Sequence, residues 1–231
     1  MVTLRVFADA LLAALLAPPC AACARPLDRP LAGAVCDACW TALAPRPSPF
    51  TLARIARAAA IGPYEGPLRA LLHALKYDGR RSIAPRLGSL MAVHGRDVLA
   101  GADVAVPVPL HPRRLRERGF NQADDLARGL GVPVRRALCR VRATRPQVDL
   151  PAAARAENVR GAFATGRRWG AVVSGLSPGA PPRLAGRVIV LVDDVTTTGA
   201  TLEACAQALY GAGAKEVRAL TAARVVTARR S

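Results

Sequence analysis

The chain has 231 residues, 52% of them hydrophobic, enough for one full-sized core plus a small appendage, which excludes a chain disordered throughout. Aromatic residues are only 4%, so that core must rest on Ala, Val and Leu. The formal net charge is +17, almost all of it arginine, which suits a polyanionic partner: nucleic acid or phosphorylated small molecules. Arginine replacing lysine on solvated faces would give the same total, so distribution matters more. Residues 111–168 hold fourteen arginines against five acids, and anion contacts are expected there.

In chain order, residues 1–18 predict a helix, with Leu4, Ala8, Leu11, Leu12 and Leu15 on one face that should pack. Asp9 interrupts the apolar run and Pro19 precedes Cys20, so the segment makes a poor secretion signal. No stretch is long enough to span a membrane as a free helix. Cys20 and Cys23 form one CxxC pair and Cys36 and Cys39 a second, within a segment (18–40) expected to be loops. Two thiolates on each of two tight knuckles make a tetrahedral four-sulfur shell, which favours a structural zinc. Disulfides and iron–sulfur ligation are the rarer alternatives, because paired CxxC spacing points to a reducing compartment. Trp40 is expected to cap the site, and Cys139 and Cys205 to be buried. Pro45, Pro47 and Pro49 predict a stiff linker and a boundary between residues 1–45, the zinc ribbon, and 46–231, the main domain.

Residues 67–77 have helical spacing after a proline start. Residues 103–110 predict a buried strand whose two prolines must keep their nitrogens outside the ladder. Helix is expected over 121–130, between an N-capping Asn and a Gly, then strand over 132–142 and loops over 143–158 and 174–182. Residues 187–193 are a strongly apolar run and should form a central parallel strand, followed by helix at 200–212 and strand at 216–226. Strands alternating with helices define an α/β fold with a mainly parallel sheet.

The most informative segment is VIVLVDDVTTTGAT, residues 188–201. A buried strand ends in Asp193 and Asp194, a Thr/Gly loop follows, and a helix begins. The geometry sets the backbone N–H groups of Thr197, Thr198, Gly199, Ala200 and Thr201 at a helix N-terminus, an anion site. Thr196 and its neighbours add hydroxyls. The two acids stand where open α/β sheets bind ligands, and could hold sugar hydroxyls or a bridging Mg²⁺. The lysine of a nucleotide-triphosphatase loop is missing.

This segment resembles the phosphoribosyl pyrophosphate motif of type I phosphoribosyltransferases. The resemblance implies that Asp193 and Asp194 contact the ribose hydroxyls, residues 197–201 the 5′-phosphate, and Mg²⁺ the ligand. Thr197 stands where purine-salvage members carry an Asp that faces the base, so purine salvage is not expected. Upstream, VPVPLHPRRLRERGFNQA sets Arg113, Arg114, Arg116 and Arg118 after a strand, where that fold binds pyrophosphate. Guanidinium groups suit bidentate phosphate contacts; a solvated basic turn is the plainer alternative. His111 suits a helix entry. Lys76 is balanced between surface and site.

The PLHPRRLRERGFNQA run, the residues Thr144, Gln147, Leu150, Arg155, Asn158 and Phe163, the LHALKYDGR run and the cysteines together resemble the ComF family of DNA-uptake proteins. That resemblance implies a cytoplasmic role in natural transformation, with single-stranded DNA and a DNA helicase as partners. Few aromatics are available for base stacking, so DNA binding would be backbone-dominated and salt-sensitive. Two functions follow: transfer of a phosphoribosyl group to an acceptor, or a non-catalytic binding module on the same fold.

Overall fold

The computed structural model describes residues 2–16, 18–142, 161–165 and 184–226. The loops expected at 143–158 and 174–182 lie outside them. Eight α-helices are described: α1 (Val2–Leu16), α2 (Asp37–Ala42), α3 (Gly66–Tyr77), α4 (Ile83–His94), α5 (Arg96–Leu99), α6 (Pro112–Arg118), α7 (Gln122–Ala127) and α8 (Ala200–Gly211). The strands are β1 (Ser48–Leu52), β2 (Ile55–Pro63), β3 (Val104–Pro107), β4 (Leu138–Arg140), β5 (Phe163–Thr165), β6 (Val188–Thr196) and β7 (Glu216–Arg224).

Five strands form one sheet in the order β1-β2-β7-β6-β3. Only β1 runs antiparallel to its neighbour; β2–β7, β6–β7 and β3–β6 are parallel pairs. The fold is therefore the expected α/β type. The apolar run of β6 lies between two partners because both its faces are covered. Val190 and Val192 pack with Leu72 of α3 and Leu87 and Met91 of α4; Ile189 and Leu191 pack with Leu202 and Leu209 of α8. Helix α4 meets α7 and the 3₁₀ turn Arg128–Leu130 at backbone contact: a Cβ on Gly88 would stand 2.6 Å from the Leu126 carbonyl oxygen and 3.0 Å from Gly129 Cα.

β3 is the sheet's edge, so Pro107 costs it no ladder bond on its outer side, and Val108 N–H resumes the pairing at Val192 O (2.9 Å). The strand expected at 132–142 is shorter than that: a single bridge joins Val134 to Ala105, and β4 pairs with β5 in a separate two-stranded sheet. The proline segment departs from a plain linker. Pro49 is inside β1, an edge strand, and the β1–β2 hairpin and α4 carried no clear signal in sequence.

The N-terminal helix exists, but its expected packing face is covered only in part: Ala8 and Leu12 are half-buried. Leu11 and Leu15 are 60% and 71% exposed. Asp9 is buried, accepting the Leu31 N–H at 2.7 Å, which goes with a helix rotated to leave Leu11 and Leu15 outside. Around the cysteines the chain is not all loop: α2 begins at Asp37 and a 3₁₀ turn covers Pro30–Ala32. Cys20, Cys39 and Trp40 belong to the same hydrophobic cluster as Leu72 and Leu87, so the core runs across residue 45. Among the described residues no helix is long and apolar enough to cross a membrane.

Candidate functional site

Alternation along β6 sends its two terminal acids to opposite faces of the sheet. Asp194 shares a face with α3, and Asp193 shares one with α8. Asp193 Oδ1 accepts the Asp194 N–H at 2.9 Å, which ties the acids into one unit. Enclosure by protein, and then the Asp194 charge, push the Asp193 carboxyl well above the usual carboxylate range. Beyond them Thr196 is buried, Thr197 and Thr198 are exposed, and Gly199 precedes α8 at φ 79°. Thr198 Oγ1 accepts the Ala200 N–H at 3.4 Å. Thr201 lies in the first turn of α8. Residues 193–201 thus form the strand–loop–helix that the pattern predicts, with the helix's first N–H groups at the strand's carboxyl end.

The arginine segment that follows β3 is a helix, α6, and not a basic turn. His111 caps it, its Nδ1 accepting the Arg113 N–H at 3.3 Å, and Gly119 closes it at φ 78°. Helical phase then separates the four arginines. Arg114 and Arg118, one turn apart, line a cavity of about 260 Å³ with Lys76, Tyr77, Gly79, Glu117 and Phe120. Arg113, which lines neither cavity, is paired with Glu117 at 2.7 Å. Arg116 faces a different cavity, of about 440 Å³, on the outer side of β3.

Lys76 joins these parts. Its Nζ lies 2.6 Å from Asp194 Oδ2, with side-chain exposures of 17% and 4%. Burial alone would lower the ammonium's hold on its proton. The Asp194 charge and hydrogen bond, aided by Asp193, more than reverse that, and the pKa is raised. Arg118 stands nearby, its guanidinium 5.5 Å from the Tyr77 ring centroid and donating to Gln122 Oε1 at 2.6 Å.

A second set of charges went unread in sequence. Asp124 and Asp125, both buried on α7, hold three arginines around the larger cavity. Arg136 binds Asp124 through two nitrogens (2.8 and 2.7 Å), Arg128 binds Asp124 at 2.7 Å, and Arg81 grips Asp125 at 2.7 and 2.8 Å. The only hint was the acidic doublet on a helix that otherwise had to be apolar.

The four cysteines converge, with their sulfurs all within 4.8 Å of one another and Cys23 and Cys36 at 3.8 Å. No disulfide joins them. A tetrahedral shell at zinc–sulfur bonds of about 2.3 Å separates its sulfurs by about 3.8 Å, so the set fits a metal such as zinc. Cys20 Sγ accepts N–H groups from Ala22 and Cys36, both at 3.4 Å. Burial pushes this thiol up, but those donors outweigh it and bring it down to about 6. Burial and the neighbouring sulfurs push Cys39 up. Trp40 packs beside the cluster under Arg86, whose guanidinium is 4.6 Å from its ring centroid. Cys205 is buried as expected; Cys139 is half-buried, its Sγ 3.3 Å from Ala164 O.

An α/β sheet whose interior strand β6 carries two acids near its carboxyl end and runs into a Thr/Gly loop is the architecture of a phosphoribosyltransferase domain, and the phosphoribosyl transferase domain family matches residues 115–230. Over 172 residues the chain is 35% identical to the DNA utilization protein YhgH of Escherichia coli K12, covering 70% of this chain and 69% of that one. It is 33% identical to competence protein F of Haemophilus influenzae over 174 residues, 71% of each chain. The chain therefore belongs to the ComF family, with a phosphoribosyltransferase domain behind a four-cysteine cluster. Among solved structures, the glutamine phosphoribosylpyrophosphate amidotransferase of Bacillus subtilis is 24% identical, with a TM-score of 0.37 over 62% of this chain and 26% of that one. The protein TT1426 of Thermus thermophilus is 20% identical, with a TM-score of 0.32 over 64% of this chain and 86% of that one.

Proposed function

We propose that the chain binds phosphoribosyl pyrophosphate or a closely related sugar phosphate at the carboxyl end of β6, and that this site serves the handling of single-stranded DNA in natural transformation. One observation carries the reading: β6 delivers Asp193 and Asp194 directly into the Thr197–Thr201 loop at the start of α8. The first-turn N–H groups and the Thr197, Thr198 and Thr201 hydroxyls take the 5′-phosphate. Asp193 takes a ribose hydroxyl; Asp194, 4% exposed and in contact with Lys76, acts through that ammonium; and Arg114 and Arg118 take the pyrophosphate end. The reaction this arrangement favours is displacement at ribose C1. The C1–O bond breaks with its electron pair going to pyrophosphate, the acceptor's lone pair makes the new bond, and the acceptor's proton passes to solvent. Arg114 and Arg118 would stabilise the departing charge, an electrostatic contribution of the kind that usually dominates.

The four cysteines would hold zinc in a closed shell, which supplies folding energy and no reactive position. The Mg²⁺ that the resemblance implies meets an obstacle: Asp194 is 4% exposed and its Oδ2 is already in contact with Lys76. The residues do not fit a metal bound directly on that carboxylate. The link to DNA rests on the relatives' names, DNA utilization protein and competence protein, and on the +17 charge. A cytoplasmic site of action beside a DNA helicase goes with it.

Calorimetric titration of phosphoribosyl pyrophosphate, with Mg²⁺ present, into wild type and Asp193→Asn/Asp194→Asn tests the reading. Binding by wild type that the double variant loses supports it. A folded, zinc-loaded wild type that binds nothing removes the sugar-phosphate site. That outcome would leave a nucleic-acid module, for which the exposed guanidiniums around the larger cavity (Arg81, Arg116, Arg128, Arg136) are the surface.

A further inference from the structure

We infer that Lys76 is a tethered counter-cation of the sugar-phosphate site, linking Asp194 to the phosphate groups so that the ligand binds without a divalent metal. The inference rests on the function proposed above.

Two acids beside a phosphate need a cation between them and the ligand, or like charges oppose binding. Mg²⁺ would meet that need with a near-octahedral oxygen shell at about 2.0–2.1 Å that keeps several waters. Asp194 offers no room for a hydrated ion, since its Oδ2 is 2.6 Å from Lys76 Nζ and its side chain is 4% exposed. The cation in contact with that carboxylate is an ammonium.

That ammonium is also open on its other side. Lys76, in the last turn of α3, lines the 260 Å³ cavity together with Arg114 and Arg118. A lysine carries three donors on one compact charge. That charge meets Asp194 at 2.6 Å and also lines the cavity, where an anion can share it. Glu117, the acid on that wall, is already paired with Arg113 at 2.7 Å. Arg118 is steadied by Gln122 and by the Tyr77 ring, so the second cation is positioned before a ligand arrives. The chain of contacts is carboxylate, ammonium, phosphate, and Mg²⁺ would otherwise be its middle member.

The test is titration of phosphoribosyl pyrophosphate into wild type, Lys76→Met and Lys76→Met/Asp194→Asn, each in excess EDTA and in excess Mg²⁺. Wild type should bind in EDTA within about threefold of its affinity in Mg²⁺, and Lys76→Met should bind at least about tenfold more weakly in EDTA. Magnesium should restore part of that loss, because Asp194 is then open to it. The double variant leaves neither charge of the Lys76–Asp194 pair stranded, keeps the test valid if the single variant misfolds, and should lose EDTA binding equally. Manganese resonance spectra add a readout free of ligand: wild type should take up no ion at this site, and Lys76→Met should take up one. Wild-type binding that requires Mg²⁺, or Lys76→Met binding unchanged in EDTA, overturns the inference while leaving the sugar-phosphate reading intact. Absence of wild-type binding in both conditions overturns both.

Discussion

Leu52, at the end of β1, lies against Gly199, the residue that opens α8: a Cβ on Gly199 would fall 2.3 Å from Leu52 Cδ2. The β1–β2 hairpin therefore braces the phosphate loop. Arg54 in the same hairpin adds to this, its N–H donating to Glu203 of α8 at 3.1 and 3.2 Å.

Gly199→Ala is expected to damage this brace twice over, through the left-handed backbone at φ 79° and through the clash with Leu52. The backbone alone costs about 1–2 kcal/mol. Chemical denaturation should show that loss or more, and titration with phosphoribosyl pyrophosphate should show no binding. Unchanged stability would mean that the hairpin yields freely.

Asp193→Asn should separate binding from stability. A carboxyl whose folded pKa lies above its unfolded 3.8 holds its proton more tightly in the folded chain. Its contribution is favourable at low pH and is lost as pH rises from 3.8 through the folded value. At pH 7, above the unfolded value, wild type thus bears the cost of an enclosed carboxyl that resists ionisation, whereas an amide there does not, and Asn Oδ1 can still accept the Asp194 N–H. Thermal melts at pH 7 should give the variant a Tm equal to or above wild type, with the difference narrowing towards pH 4. A lower Tm at pH 7 would contradict this.

The α7 acids make a third case. Asp124 is 7% exposed, while its partners Arg128 and Arg136 are 57% and 47% exposed. Arg128→Ala/Arg136→Ala strands a buried carboxylate and should cost about 3 kcal/mol, the low end for a broken buried pair because both guanidiniums are partly screened by solvent. Restoring neutrality with Asp124→Asn in that background should recover part of the loss. Urea denaturation of the series measures both steps.

Metal removal gives a fourth. The cysteine cluster shares its core with α3 and α4, so a chelator should destabilise more than the N-terminal segment. Calorimetry should show Tm falling by at least about 5 °C. Cys20, Cys23, Cys36 and Cys39 should become reactive to a thiol reagent while buried Cys205 stays protected in the folded protein. An unchanged Tm would mean that the cluster is not metal-loaded in solution.

What sequence alone determined here was whatever depends on neighbours along the chain. The apolar run of β6, its two acids, the Thr/Gly loop and the helix after it form one contiguous pattern. So do the two CxxC knuckles, whose sulfurs must meet if their loops close. Tertiary structure decided the rest. Whether four clustered arginines act together depended on α6 being a helix: its 3.6-residue turn sends Arg114 and Arg118 to one cavity and Arg116 to another. Whether Leu11 and Leu15 pack depended on how the helix is rotated, with Asp9 buried against the Leu31 N–H. Lys76, evenly balanced between surface and site in sequence, meets Asp194 only because α3 lies across the face of the sheet to which that acid points. Local patterns follow from backbone geometry; the partners of a charge follow from which elements pack, and that is a property of the whole fold.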